Sequence, residues 1–330
     1  MMQDTVYAQL LQLGRPLLLD GAVGTQLQRL GVPMDNTAWA AIALATHPDA
    51  VSRMHRQYLD AGADIITTNS FSSARHNLDP VGLGDRSLEL NRRSVSLARE
   101  ARDAFAADRP VAIAGSLSHF GILVDGEPGL ALHRHARPGS QVEFDRDTAR
   151  RNIREQAECL VDAGVDLLLL ESTGNMTQRR WLLEETDHLD IPRWLGFRCR
   201  LDRDGEVRVG YGSDEAFARS LDVLQDHRVD CVAVFHSLVD DTTAALAVLR
   251  QHWPGLVAAY PEAGRSDYTA THRDDAEASN ITPAELPQTL QEWIATGVNV
   301  VGGCCGIDLD YYQGLKQALD NASSQDDQPC

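Results

Sequence analysis

Two adjacent cysteines set among glycines, Gly302-Gly303-Cys304-Cys305-Gly306, are the residues of this chain best suited to chemistry. Thiolates bind zinc strongly, and flanking glycines allow the irregular backbone that two neighbouring side chains need to reach one ion. The same pair could instead form a vicinal disulfide or pack as two small buried side chains. A catalytic zinc takes three protein ligands and keeps one position open. The candidates for the third ligand are Cys231, His236 and Cys199. In an extended run over 230–236, Val232, Val234 and His236 share one face, and Cys231 and Phe235 the other. His236 also ends that run, whereas Cys231 lies near its start, so His236 is preferred. A hydrogen-bonded histidine without a metal is the alternative.

Glu171 closes a very apolar stretch, Leu167-Leu168-Leu169-Leu170-Glu171. A carboxylate there must be paired or must meet a cation, because an unpaired buried charge is costly. The amino group of an amino-acid substrate would serve, and so would an arginine in a structural ion pair. Asp20 opens the turn DGAVGT (20–25), where backbone N–H groups could hold a carboxylate, or where Asp20 simply caps a helix. The stretch from Leu123 to Gln141, with His133 and His135 and with His119 just before it, is long enough for a lid. Residues 261–280 offer a second one.

The elements that must position these residues recur. LDAGADIITTN (59–69), VDAGVDLLLLES (161–172) and IATGVNVVGGCC (294–305) each run from an amphipathic helical stretch through a glycine into an apolar run. Gly62, Gly164 and Gly297 suit the left-handed helix cap, and runs without polar alternation suit strands buried on both faces. Eight candidate strands follow, at about 17–20, 64–68, 111–115, 166–171, 193–198, 230–236, 256–260 and 298–302. Helical stretches include 48–61, 146–163, 215–227, 241–252 and 283–296. Eight strands alternating with helices favour a closed (β/α)8 TIM barrel, an α/β fold, over an open doubly wound sheet. Polar or glycine-bearing clusters end seven of the strands: Asp20-Gly21, Thr68-Asn69, Gly115-Ser116, Glu171-Ser172, His236-Ser237, Tyr260-Pro261 and Gly302 to Cys305. In a barrel these ends meet on one face, where catalytic residues sit.

Composition narrows the function. The 330 residues suit a single barrel domain, expected over 1–320, with a polar, flexible tail over 321–330. A net charge of −18 argues against nucleic-acid and anionic-membrane binding, both of which need a basic face. The N-terminus lacks the pattern of a secretory signal, and no run is long and apolar enough to span a membrane. Six cysteines in so long a chain fit a reducing, cytoplasmic setting better than a disulfide framework. Assembly into a homo-oligomer is left open.

LLLDGAVGTQL (17–27), AGADIITTNSF (61–71), AGS (114–116), LLLES (168–172), YPEAG (260–264) and VVGGCCGI (300–307) together resemble the homocysteine S-methyltransferase family, over nearly the whole chain. That resemblance implies a (β/α)8 barrel and a zinc ion held by three cysteines, with homocysteine bound through its thiol. His236 stands where the family places its first zinc cysteine. Ser118-His119 replaces a glycine-proline, and Glu262 replaces the asparagine of a tyrosine-proline-asparagine triplet. The expected activity is methyl transfer to homocysteine from a sulfonium donor such as S-methylmethionine, or from a quaternary ammonium, giving methionine. His236, Cys304 and Cys305 would hold Zn2+. Asp20, Gly21, Thr68, Asn69, Ser116, Glu171 and Tyr260 would contact substrate, with Asp20 and Glu171 catalytic. Tyr260 or Phe71 could face a cationic donor. Zinc with two thiolates and one imidazole is neutral, against one negative charge for three thiolates, which suits a strongly activated sulfonium. The rivals are another thiol or selenol acceptor, demethylation of an osmolyte donor, and a non-catalytic binding barrel. No room remains within this length for separate cobalamin- or folate-binding domains.

Overall fold

The computed structural model describes residues 5–105, 109–122, 146–210, 213–264 and 281–326. The eight apolar runs form eight parallel strands: β1 (Leu17–Leu18), β2 (Ile65–Thr67), β3 (Ala112–Ser118), β4 (Leu167–Ser172), β5 (Arg193–Phe197), β8 (Cys231–Phe235), β9 (Leu256–Tyr260) and β10 (Val300–Val301). A short antiparallel hairpin, β6 (Cys199–Leu201) with β7 (Val207–Val209), follows β5. The strand order β1-β10-β9-β8-β5-β4-β3-β2 closes on itself. Leu19 bridges Ile65, the Asp64 amide donates to the Leu18 carbonyl at 2.7 Å, and the Asp20 amide donates to the Ile65 carbonyl at 2.9 Å. The fold is a (β/α)8 barrel.

Both faces of each strand are buried, so the strands read as unbroken apolar runs. Outward-facing Ile66, Ile113, Leu168, Leu195, Val232 and Val257 pack against helices, among them α4 (Pro48–Asp60), α6 (Ser87–Ala104), α7 (Arg146–Ala163) and α10 (Val239–His252). Inward-facing Leu19, Ala114, Leu169, Trp194, Cys231 and Ala258 fill the barrel. Gly62, Gly164 and Gly297 adopt φ of 106°, 91° and 93°, the left-handed conformation that ends a helix and turns the chain into the next strand.

Helix α1 (Val6–Leu11) covers the N-terminal end of the barrel, where Tyr7 and Leu10 join the interior cluster. Trp194 Nε1 donates to Tyr7 Oη at 3.1 Å. The expected helix over 215–227 is instead α9 (Phe217–Ser220) running into a 3-10 turn, Leu221–Gln225. The closing helix α12 spans Leu309–Asp326, so regular structure continues into the stretch expected as tail. The expected lid over 123–141 lies outside the described residues, as does all but 261–264 of the one expected over 261–280. No helix among the described residues is long and apolar enough to cross a membrane.

Candidate active site

The C-terminal strand ends surround a cavity of about 430 Å3. Asp20, Gly21, Thr68, Asn69, Ser116, Glu171, His236, Tyr260, Cys304 and Cys305 all line it. The sequence placed these residues at separate strand ends, and barrel closure brings them together.

The loop after β10 is held tightly against β1. A Cβ on Gly303 would lie 2.4 Å from Ile307 Cγ2, and one on Gly302 would lie 2.8 Å from Leu19 Cβ. Only glycine fits this approach, which delivers the Cys304 and Cys305 side chains to the cavity as thiols outside any disulfide. The ligand atoms of His236, Cys304 and Cys305 lie within 4.8 Å of one another, and Cys304 Sγ is 3.4 Å from His236 Nδ1. That donor set, two sulfurs and an imidazole on one side of an open cavity, fits a tetrahedral metal ion with one position left for substrate.

His236 reaches this cluster by breaking strand alternation. Inside β8, Cys231, Ala233 and Phe235 face the barrel interior while Val232 and Val234 face the helices. The face that His236 shares with Val232 and Val234 by alternation therefore points away from the cavity, a correction to the sequence-based picture. His236 has φ of 46°, unusual for a residue with a Cβ, and this turn returns its imidazole to the cavity. Cys231 sits inside the barrel and Cys199 in the core near Phe197, and neither joins the cluster. Burial pushes both thiols far up in pKa.

Two carboxyl groups face the cavity interior. Asp20 is fully buried and accepts from the Thr67 amide and from Thr67 Oγ1, each at 2.7 Å. Burial nevertheless lifts it to about 7, the two hydrogen bonds opposing the shift. Glu171 accepts from Ser116 Oγ, and burial raises it to about 7 against that hydrogen bond and the nearby His236. Glu171 sits opposite Ser118 and Gly196 in the sheet. Tyr260 is buried, and its Oη has no hydrogen-bond partner among the described residues. Thr68 and Asn69 are committed to structure: Thr68 Oγ1 accepts from the Ser116 amide at 3.1 Å, and Asn69 Nδ2 donates to the Ala40 carbonyl at 2.9 Å.

An aromatic wall flanks the outer part of the cavity. Phe71 lies edge-on to Trp39, with ring centres 6.0 Å apart, and 5.3 Å from Phe120. Trp39 has φ of 41° and presses against Gly24, where a Cβ would meet its ring at 2.5 Å. Sequence reasoning named Phe71 but not Trp39, Phe120 or Thr67. Their only signal was an aromatic in a polar loop, MDNTAW (34–39), or a hydroxyl beside the motif threonine. His119, grouped by sequence with the loop histidines, is fully buried. Its Nε2 accepts from the Gly174 amide at 3.0 Å, and burial lowers it to about 3, so it braces the loop after β4 as a neutral ring.

Glu262 is the other departure with a visible consequence. Its backbone amide donates to the Ser237 carbonyl at 2.9 Å, and Oε2 lies 3.2 Å from His236 Nδ1. That oxygen is buried without a hydrogen-bond partner among the described residues. Counting zinc ligands alone gave a neutral site; the structure adds a carboxyl group beside the imidazole.

Residues 17–319 match the homocysteine S-methyltransferase family. The chain belongs to that family. A selenocysteine methyltransferase of Astragalus bisulcatus is 29% identical, with 95% of each chain covered. Homocysteine S-methyltransferase 2 of Zea mays is 25% identical over 96% of this chain and 94% of that protein. The metallated form of the homocysteine methyltransferase MmuM from Escherichia coli superposes with a TM-score of 0.72 at 26% identity, over 94% of this chain and 99% of that one. As a member of the homocysteine S-methyltransferase family the chain is a methyltransferase, acting between a small-molecule donor and a thiol-type acceptor.

Proposed function

We propose that this protein moves a methyl group from a sulfonium donor such as S-methylmethionine to homocysteine, giving methionine, with zinc held by His236, Cys304 and Cys305. The observation that carries this reading is the convergence of those three donor atoms within 4.8 Å beside the cavity. A bound zinc ion lowers the pKa of a thiol that it coordinates, so that a thiolate is available at neutral pH. In the reaction the acceptor sulfur forms a new bond to the methyl carbon. The donor's sulfonium–methyl bond breaks, and its electron pair stays on the departing thioether.

The remaining residues bind and orient. Glu171, held by Ser116, and Asp20, held by Thr67, offer buried carboxyl groups to the acceptor's ammonium group. A substrate cation favours their ionised forms, offsetting the burial that now raises both. Tyr260 Oη has hydrogen-bonding capacity to spare for the bound amino acid. Trp39, Phe71 and Phe120 offer ring faces and edges to a cationic donor, and enclosure by them keeps water from the reacting carbon. Gly21 leaves no space for a side chain, since a Cβ there would lie 2.6 Å from the Ile307 carbonyl oxygen. Cysteines outside any disulfide at such a site suit a reducing compartment, here the cytoplasm.

Anaerobic assay with homocysteine and S-methylmethionine, dimethylsulfoniopropionate, betaine or S-adenosylmethionine tests the reading, with zinc measured per chain. Methionine formation from a sulfonium and about one zinc per chain is expected. A His236→Ala protein should lose most of its zinc; full occupancy in that variant removes His236 as a ligand. The similarity to a selenocysteine methyltransferase favours a second acceptor, selenocysteine, to be run beside homocysteine in the same assay.

A further inference from the structure

We propose that Glu262 is a positioning residue of the metal centre, its carboxylate supplying beside His236 the negative charge that an imidazole ligand lacks relative to a thiolate. The inference rests on the zinc-site reading above and extends it to a residue outside the ligand set. Glu262 Oε2 lies 3.2 Å from His236 Nδ1, and the residue is 4% exposed. An oxygen that is buried and lacks a hydrogen bond among the described residues is costly unless a positive charge faces it. A divalent ion at His236, Cys304 and Cys305 is such a charge. The mutual 4.8 Å set among the described residues contains those three side chains and not Glu262, which approaches from the His236 side.

The chemistry explains why two departures from the family pattern occur together. An ion held by two thiolates and an imidazole carries no net charge, whereas three thiolates leave one negative charge. A carboxylate beside the imidazole restores it, and a neutral asparagine at the same position would not. The loop geometry keeps the two residues in register, because the Glu262 amide donates to the Ser237 carbonyl and the Ala263 amide donates to the Cys305 carbonyl, each at 2.9 Å. Burial pushes the Glu262 carboxyl up to about 7; of the groups facing it, His236 and Arg198 lower it while Cys305 and Asp241 raise it, so the pair sits in a mixed field rather than an isolated one.

Zn(II) affinity, read by competition with a chromophoric chelator under reducing conditions at one fixed pH, tests the coupling. Wild type, Glu262→Gln, His236→Cys and the double variant form the cycle, with Co(II) absorption spectra reporting the ligand field. Glu262→Gln should weaken Zn(II) binding by roughly 10-fold or more in the wild-type background, within the range for partners of metal ligands. The same change should cost less than about 2-fold once position 236 is a cysteine. Should His236→Cys fail to fold, Glu262→Asp in the wild-type background decides: it retains the charge and should bind Zn(II) more tightly than Glu262→Gln. Equal losses in both backgrounds, no loss on Glu262→Gln, or Asp and Gln behaving alike would overturn the proposal while leaving the zinc site standing. A wild-type protein that binds no Zn(II) overturns both.

Discussion

Asp20 accepts two hydrogen bonds from Thr67, yet burial still lifts its carboxyl to about 7, and Glu171 is lifted to about 7 in the same cavity. For such a group the folded pKa exceeds the unfolded value of about 4, so the folded protein binds the proton more tightly. Its contribution therefore favours folding at low pH and is lost as pH rises through about 7. The metal-free, substrate-free protein should lose stability between about pH 4 and about pH 7, by no more than about 1.4 kcal/mol per pH unit for each group, seen as a falling thermal midpoint. Asp20→Asn should flatten this slope; an unchanged slope would mean that Asp20 ionises normally. Homocysteine should also reduce the slope, because its ammonium group favours the ionised carboxylates.

At the scale of elements, the loop that follows α2 (Val23–Arg29) carries Trp39 to the cavity and holds it in a strained conformation between Gly24 and Phe71. Trp39→Ala should raise KM for a sulfonium donor about 3- to 30-fold, the equivalent of one cation–π contact, with little change in KM for homocysteine. If the acceptor's KM moves instead, the aromatic wall belongs to the other substrate. Helix α1 answers at the opposite end of the barrel. Leu10, fully buried against the interior cluster, should cost about 2–5 kcal/mol when replaced by alanine, measured from the denaturation midpoint. Zn(II) affinity in that variant should stay within about 2-fold of wild type, since independent distant sites act additively.

At the scale of the whole molecule, the zinc site proposed above would link folding to metal and charge. Zn(II) at about 100 times its dissociation constant should stabilise the fold by about 2.7 kcal/mol, seen as a higher thermal midpoint that a chelator reverses. The same chelation should make Cys304 and Cys305, both partly exposed, react faster with a disulfide reagent. A net charge of −18 attracts cations at long range, and a sulfonium donor would be among them. The protein's kcat/KM for a sulfonium should therefore fall as salt rises from about 0.01 M to about 0.15 M, where screening shortens from about 30 Å to about 8 Å. A flat profile would show that capture is local to the cavity.

Strand positions were legible because parallel strands buried on both faces leave uninterrupted apolar runs, as in Leu167 to Leu170, and because glycines such as Gly164 mark where helices must stop. The vicinal cysteines and the carboxyl residues Asp20 and Glu171 were legible because their types are costly at strand ends without a purpose. Helix α6 was not, since its arginines and glutamates dilute the apolar stripe that packing alone completes. Nor was the hairpin β6–β7, whose strands are three residues each. Alternation along β8 turned His236 away from the cavity, and only a left-handed backbone turn at that residue brings it back. Trp39, Phe120 and Glu262 are distant in sequence from the partners they meet. Local patterns fix what one segment prefers, whereas closing the barrel decides which segments share a cavity and so which charges face each other.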